Sequence, residues 1–225
     1  RVLLALVAGL ITATAHAAPP MPMGYPALQN PVGPNSWWWD DAWWDEGQIA
    51  EPSNHKVVTR WIEYQNGDIT VPAMIARPAD GKKYPAVVYQ HGRRGLDDLI
   101  QPQVKRLAAR GFVVLAPDVY SGRFIEKLPI EHDYEIETDT AAAVDVLLAL
   151  PDVSTKQACF VSQTRGGYYT LKASVTHGKQ NNGIACSVKY YPHMQDPNAP
   201  EPMQVYRYAT EADKLEIPLL VFYGE

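Results

Sequence analysis

The sequence predicts an α/β fold with a mostly parallel sheet and helices on both of its faces. Short apolar runs alternate with segments of helical spacing, which is the pattern of strands that are buried on both sides. The 225 residues suffice for one domain, and the composition is ordinary for a globular protein, with 46% hydrophobic residues, 20% charged residues and a net charge of −5. The mild acidity gives no reason to expect a nucleic-acid partner.

The first 17 residues resemble part of a secretory signal peptide. An apolar run follows Arg1 and ends at Ala15-His16-Ala17, which has the small-x-small pattern of a cleavage site. We therefore expect removal of residues 1–17, export to a bacterial periplasm or beyond, and no stable membrane span afterwards. An uncleaved anchor is the alternative, although the run is short for a transmembrane helix.

Residues 18–55 form an N-terminal extension rich in proline and tryptophan. Five indoles lie beside four acidic residues, and they are costly to leave in water. One interpretation is an aromatic platform for a sugar or an aromatic ligand; the favoured one is an extension that buries its rings on the domain. The tryptophans are Trp37, Trp38, Trp39, Trp43 and Trp44.

The domain predicted for residues 56–225 begins with a β-hairpin. Two strand-like runs flank Asn66-Gly67-Asp68, and Asn-Gly is typical of tight hairpin turns. The run YPAVVYQHG predicts a third strand. A helix follows, which should begin near Pro102 and end at Gly111.

The second half of the domain alternates strands with helices. FVVLAPD, QACFVSQ, IACSVKYYP and IPLLVFYGE predict strands, whereas RGGYYTLKASV and TDTAAAVDVLLALP predict helices, the latter capped by Thr138 or Asp139. The chemistry of such sheets collects at the carboxyl ends of the strands. One rim should therefore hold His91-Gly92, Asp118, Thr164, Tyr190-Tyr191 and Glu225.

The two cysteines, Cys159 and Cys186, both lie in apolar strands. Export would permit a disulfide between them. Disulfide geometry between neighbouring strands is restrictive, however, so we favour two buried thiols over a disulfide.

The joint between strand and helix near residue 164 has the layout of a nucleophile elbow. The pattern small-x-nucleophile-x-small places Thr164 between Ser162 and Gly166, and the sharp turn would lift the Thr164 side chain above the sheet. The backbone amides of Arg165 and of Arg93, in QHGRRG, are the expected donors of an oxyanion hole.

Other residues are assigned to support the elbow or to line a pocket. The supporting residues are His91, Gly92, Ser162, Gly166 and Gly167. The candidate pocket residues are Arg94, Tyr120, Tyr168 and Tyr191, for which ordinary packing is an equal explanation. No histidine or cysteine spacing indicates a metal site.

Taken together, these segments resemble the dienelactone hydrolase family of α/β-hydrolases. The resemblance is carried by PAVV, LAARGFVVLAPD and the RGG of the elbow, and it covers roughly residues 56–225. It implies an α/β-hydrolase sheet and a hydrolase of small-molecule esters or lactones. It also implies a nucleophile, an acid and a histidine in that chain order, and no metal or organic cofactor. The oligomeric state is not indicated.

The sequence departs from the family pattern at three places. The family nucleophile is cysteine or serine, whereas Thr164 is β-branched and poorly suited to the positive φ of an elbow; Ser162 is the alternative nucleophile. The positions of an early-strand acid and of one substrate-binding arginine fall at Thr70 and near Gln101, so dienelactone itself is not expected as the substrate.

The third departure concerns the catalytic acid and histidine. IPLLVFYGE resembles the family's strand just before the acid, which puts both groups beyond Glu225 and makes the domain incomplete at its C-terminus. His193 is the one substitute considered. The leading hypothesis is an exported hydrolase that forms an acyl-enzyme on Thr164. The alternative is a catalytically impaired protein of the same fold that binds a ligand or a glycan.

Overall fold

The computed structural model describes residues 55–200, 203 and 207–223, which fall within one compact unit, Glu51–Glu225. The signal-like segment and the tryptophan-rich run lie outside the described residues, so the expectations for both stay predictions.

The described part of the chain contains seven strands, which form one sheet in the order β1-β2-β4-β3-β5-β6-β7. The pairs β1·β2 and β2·β4 are antiparallel, and the other four pairs are parallel. The prediction of a mostly parallel sheet is therefore confirmed. The strands are β1 Val57–Asn66, β2 Ile69–Pro78, β3 Tyr84–Gln90, β4 Val113–Pro117, β5 Val153–Gln163, β6 Ile184–Tyr190 and β7 Leu219–Phe222.

The hairpin of β1 and β2 forms as the sequence predicts. Asn66 pairs with Ile69, which leaves Gly67 and Asp68 as a two-residue turn. Gly67 has a φ of 58°, a left-handed conformation that glycine adopts without a steric penalty.

In the described ranges, the helices that pack on the two faces of the sheet are α1 Gln101–Ala109, α2 Ile136–Leu148 and α3 Gly166–Val175. Neighbouring residues of β2 point to opposite faces. Met74 packs in one cluster with Val104 of α1, whereas Ile75 packs in another with Leu147 of α2. Within the described residues, no helix is long and apolar enough to cross a bilayer.

The predicted cap of α2 is wrong. Glu135 is the N-cap residue and makes no side-chain capping bond. The two predicted caps are used for contacts remote in sequence: Asp139 accepts a 2.6 Å bond from Arg123 Nε, and the Thr138 hydroxyl accepts a 2.7 Å bond from the Asn66 amide. Capping rules see only local partners, so they miss this use.

The preference for two separate thiols is also wrong, because Cys159 and Cys186 form a disulfide. The two residues are direct partners in the ladder between β5 and β6, and their Cα atoms are 4.7 Å apart. That separation lies within the range that a disulfide requires. The bond links the strand that leads to Thr164 with the strand that leads to His193.

Candidate active site

The turn at Thr164 joins the end of β5 to the start of α3. Thr164 has a φ of 47°, in the left-handed region that a β-branched residue adopts only when the surrounding structure holds it there. Three main-chain bonds do so: its N–H donates to the Tyr190 carbonyl at 3.1 Å, and its carbonyl accepts from Gly167 at 2.9 Å and from His193 at 2.8 Å. The sharp strand–helix turn predicted at this position is present.

Glycines permit the close approach of α3 to the ends of β3 and β6. A Cβ atom on Gly166 would lie 2.6 Å from the His91 carbonyl oxygen, and one on Gly167 would lie 2.5 Å from Pro192 Cβ. Both distances are too short for a side chain. The sequence pattern requires small residues here because the helix starts directly against the neighbouring main chain.

The elbow lies against the QHGRRG loop. A Cβ atom on Gly92 would overlap the Thr164 hydroxyl, so this hydroxyl lies directly above the Gly92 main chain. Arg93 follows Gly92, and Arg165 is the N-cap residue of α3. Among residues 55–200, 203 and 207–223, neither arginine amide donates to another main-chain group. Both amides therefore remain candidate donors of an oxyanion hole.

The side chains of Arg93 and Arg165 point to a loop after β4 and bind its carbonyl groups. Arg93 donates to Pro129 at 2.9 Å and to Leu128 at 2.8 Å, and Arg165 donates to Pro129 and to Ile130, both at 3.0 Å. Arg94 instead forms a 2.7 Å ion pair with Asp97. All three guanidinium groups thus have partners within the protein.

Ser162 is fully buried beneath the elbow and does not reach the rim. Its hydroxyl lies 3.3 Å from that of Thr170, which in turn accepts a 2.6 Å bond from Lys189 Nζ. Lys189 also donates to the Gly167 carbonyl at 2.7 Å, and burial lowers its pKa to about 7. This cluster is not among the features predicted from the sequence, although the single lysine within the apolar run IACSVKYYP was a signal for it.

Histidine 91 has a structural role in the described contacts. Its Nδ1 lies 2.7 Å from the Gly92 carbonyl oxygen and donates to it, and its ring meets Tyr120 edge-on at 4.9 Å. Burial lowers the His91 pKa. The hydroxyl of Tyr120 is bonded to that of Tyr169 at 2.6 Å, so Tyr120 is part of a buried cluster.

His193 is the histidine whose own main chain joins the elbow. It is half-buried, and burial together with the positive charges of Arg165 and Arg93 lowers its pKa. The His193 imidazole therefore lies close enough to both arginines for their charges to affect its protonation. Because the pKa falls below its ordinary value, the imidazole is neutral at pH 7 and able to accept a proton.

The remaining pocket candidates are Tyr191 and Tyr168. Tyr191 is 53% exposed on the rim, with a φ of 35°. Tyr168 lines a cavity of about 400 Å³ beside α3. Its other lining residues are Tyr134, Lys172, Asp196, Ala199, Met203, Arg207, Tyr208, Ala209, Thr210 and Glu211. No group of three or more potential metal ligands occurs in the part of the chain that the structure describes.

Comparisons with known proteins identify related sequences. The model of the dienelactone hydrolase family matches residues 71–225. The chain is 37% identical over 72 residues to YghX of Escherichia coli (strain K12), a candidate hydrolase fragment. That alignment covers 31% of this chain and 62% of the relative, so the chain spans less than two thirds of the relative's length.

Solved structures share the fold. A candidate dienelactone hydrolase from Klebsiella pneumoniae matches with a TM-score of 0.58 and 17% identity, over 74% of this chain and 72% of that one. A dienelactone hydrolase-like promiscuous phosphotriesterase from metagenomic libraries matches with a TM-score of 0.55 and 21% identity, over 75% of this chain and 69% of that one. At these identities the likeness concerns the fold alone.

Proposed function

The chain belongs to the dienelactone hydrolase family, and from that premise we propose that it is an exported hydrolase that cleaves an ester, a lactone or a related acyl bond through Thr164. One observation carries the proposal: Thr164 is held at a φ of 47° on the strand–helix turn, with its hydroxyl beside the Gly92 main chain. A strained conformation that the surroundings enforce is typical of a functional position.

The proposed reaction proceeds through a threonyl ester. The Thr164 oxygen bonds to the acyl carbon while its proton passes to an imidazole, and the amides of Arg165 and Arg93 bind the resulting oxyanion. Each strong donor contributes roughly 3–4 kcal/mol in related chemistry. Collapse expels the alcohol, which takes the proton from the imidazole, and water then hydrolyses the threonyl ester.

The imidazole has two candidate sources. In the chain order that the resemblance implies, the histidine and its acid both follow the nucleophile. Within the described residues, His193 is the candidate, since its main chain is bonded to Thr164 and its lowered pKa suits a proton acceptor.

Substitution of Thr164 tests the proposal with 4-nitrophenyl esters of increasing acyl length. Thr164→Ala should lower kcat on the order of 10³-fold or more, because the nucleophile is lost. Thr164→Ser should match or exceed the parent, because serine keeps the hydroxyl without the β-methyl group. The control is Thr59→Ala, on the exposed face of the edge strand β1. Unchanged hydrolysis by Thr164→Ala would refute the role of Thr164.

Export is tested separately. A periplasmic or secreted protein whose N-terminus is Ala18 would support it, and retention of residues 1–17 on a cytoplasmic product would contradict it. The disulfide between Cys159 and Cys186 supports an oxidising compartment.

A ligand-binding protein without catalysis is the second candidate. It is favoured by the β-branched residue at the strained elbow and by the tyrosine-lined cavity beside α3. Saturable binding of a glycan or an aromatic ligand, unaffected by Thr164→Ala and without turnover of any ester, would support it over hydrolysis.

A further inference from the structure

Arg93 and Arg165 are linked through one short loop. Four consecutive carbonyl groups, those of residues 128–131, accept bonds from the two guanidinium groups. Pro129 lies at the centre, because its carbonyl accepts from Arg93 Nε at 2.9 Å and from Arg165 Nη1 at 3.0 Å. A single oxygen atom therefore joins the two side chains.

The same loop also holds the main chain of Arg93. The N–H of Leu128 donates to the Arg93 carbonyl at 2.8 Å, so this residue is bound through both its side chain and its backbone. Leu128 has a φ of 62°, a conformation that a non-glycine residue keeps only when its contacts enforce it. The loop is thus fitted to the two arginines.

No carboxylate of the described residues pairs with these guanidinium groups. Within residues 55–200, 203 and 207–223, neither Arg93 nor Arg165 forms an ion pair, whereas Arg94 pairs with Asp97 and Arg123 pairs with Asp139. Carbonyl dipoles accept bonds from Nε and Nη2 of Arg93 and from Nη1 and Nη2 of Arg165, but they leave the net positive charge. Arg165 is only 6% exposed, so its charge acts in a medium that screens it weakly.

This positive charge affects groups at the carboxyl ends of the strands, beside the elbow. The positive charges of Arg165 and Arg93 contribute to the lowered pKa of His193, whose N–H is bonded to the Thr164 carbonyl. The Tyr120 hydroxyl also lies in the field of both arginines. The two guanidinium groups therefore make the electrostatic potential around the elbow more positive.

We propose that the guanidinium groups of Arg93 and Arg165, joined through the Pro129 carbonyl, fix the spacing of the two oxyanion amides and supply uncompensated positive charge to the oxyanion. Both arginines are positioning residues through their side chains, and the proposal rests on the proposed function. The backbone amides touch the oxyanion; the side chains set where those amides lie and the potential around them.

Charge-conserving and charge-removing variants test the proposal in the full chain. Arg165→Met and Arg93→Met should each lower kcat about 100-fold with little change in KM, because donors misplaced by about 1 Å act mainly on the transition state. Arg165→Lys and Arg93→Lys keep the positive charge but lose the planar guanidinium group that binds several carbonyl groups at once. They should therefore retain more activity than the methionine variants.

Arg77→Met is the matched control, since Arg77 pairs with Asp152 at 3.2 Å at the opposite end of the sheet. It should keep the parent kcat. Methionine variants with kcat within about 2-fold of the parent, or with the same loss as the lysine variants, would overturn the proposal. Arg93 is the less buried of the two arginines, so Arg93→Met still decides the matter if Arg165→Met does not fold.

Two further measurements do not depend on turnover. The pKa of His193, followed by NMR, should rise in each methionine variant and less in the lysine variants, because a cation opposes protonation of the imidazole. Trypsin should cleave after the exposed Lys127 faster in the methionine variants than in the parent, because the loop loses its bonds.

The outcomes separate the two proposals. If parent and Arg77→Met hydrolyse no ester, the proposed function fails, while the His193 titration and the cleavage at Lys127 still judge the linked arginines. If the parent is active but both of these readouts are unchanged in the methionine variants, the linkage through Pro129 is refuted and the proposed function stands.

Discussion

Lysine 189 should give the protein an unusual dependence of stability on pH. Its ammonium group lies in the interior, with 1% of the residue exposed, and donates to the Gly167 carbonyl and the Thr170 hydroxyl. Burial lowers its pKa to about 7. Lys189→Met should remove this dependence, because methionine has a similar length and no ionisable group.

The magnitude follows from proton linkage. In the unfolded chain the lysine pKa is about 10.4, so between pH ~7 and ~10 the unfolded chain binds a proton that the folded chain does not. The free energy of unfolding should therefore rise by about 1.4 kcal/mol per pH unit, or about 2 kcal/mol from pH ~7.5 to ~9. Below the folded pKa both states bind the proton, and the dependence ends.

Other titrations act mainly outside this window. The pKa values of His91, His177 and His193 are lowered, so these groups add to stability as the pH rises through their unfolded pKa, below pH ~7. The pKa values of Tyr64 and Tyr89 are raised, so they oppose stability only where tyrosine ionises in the unfolded chain, near pH ~10.

Urea unfolding at several values from pH ~7.5 to ~9 measures the effect, with the parent, Lys189→Met and the control Lys156→Met compared. Lys156 is an exposed residue of β5, so its replacement should leave the slope of the parent. Equal slopes for the parent and for Lys189→Met would refute the assignment of this dependence to Lys189.

Three further predictions concern the elbow and the disulfide. Replacing Cys159 and Cys186 by alanine should lower the free energy of unfolding by about 3.5 kcal/mol, the value for a separation of 27 residues, and an unchanged urea midpoint would contradict this. Thr164→Gly should raise stability by about 1 kcal/mol by relieving the left-handed strain while abolishing ester hydrolysis, and a lower melting temperature would argue against strain at this turn. Gly166→Ala should lower the melting temperature and the activity together, because its Cβ would lie 2.6 Å from the His91 carbonyl oxygen; a parent-like melt would count against the packing described.

Local patterns predicted the elements that local contacts determine. The Asn66-Gly67-Asp68 sequence indicated the hairpin, and the small residues around Thr164 indicated the elbow because the steric demand there lies within five residues. The alternation of apolar runs and helices indicated the parallel sheet, since burial on both faces leaves its mark on each strand separately.

Long-range partners were beyond the reach of the sequence. Asp139 is of a residue type that often caps helices, but it pairs with Arg123 instead. The two cysteines could be paired only once β5 and β6 were known to be neighbouring strands. The arginines of QHGRRG and of the elbow are equally consistent with solvent or with a substrate anion. Their use for loop carbonyls depends on a main-chain path that side-chain patterns do not encode.

The carbonyl groups that hold Arg93 and Arg165 belong to the peptide backbone, and so they do not depend on which side chains the loop carries. Ile130 is 84% exposed and Leu128 is 41% exposed, and neither side chain is needed for the bonds to the arginines. This loop can therefore drift in sequence, or be diversified in a library, while its attachment to the arginines is kept. Substitutions in this loop could therefore change the substrate preference of related proteins while the elbow at Thr164 stays the same.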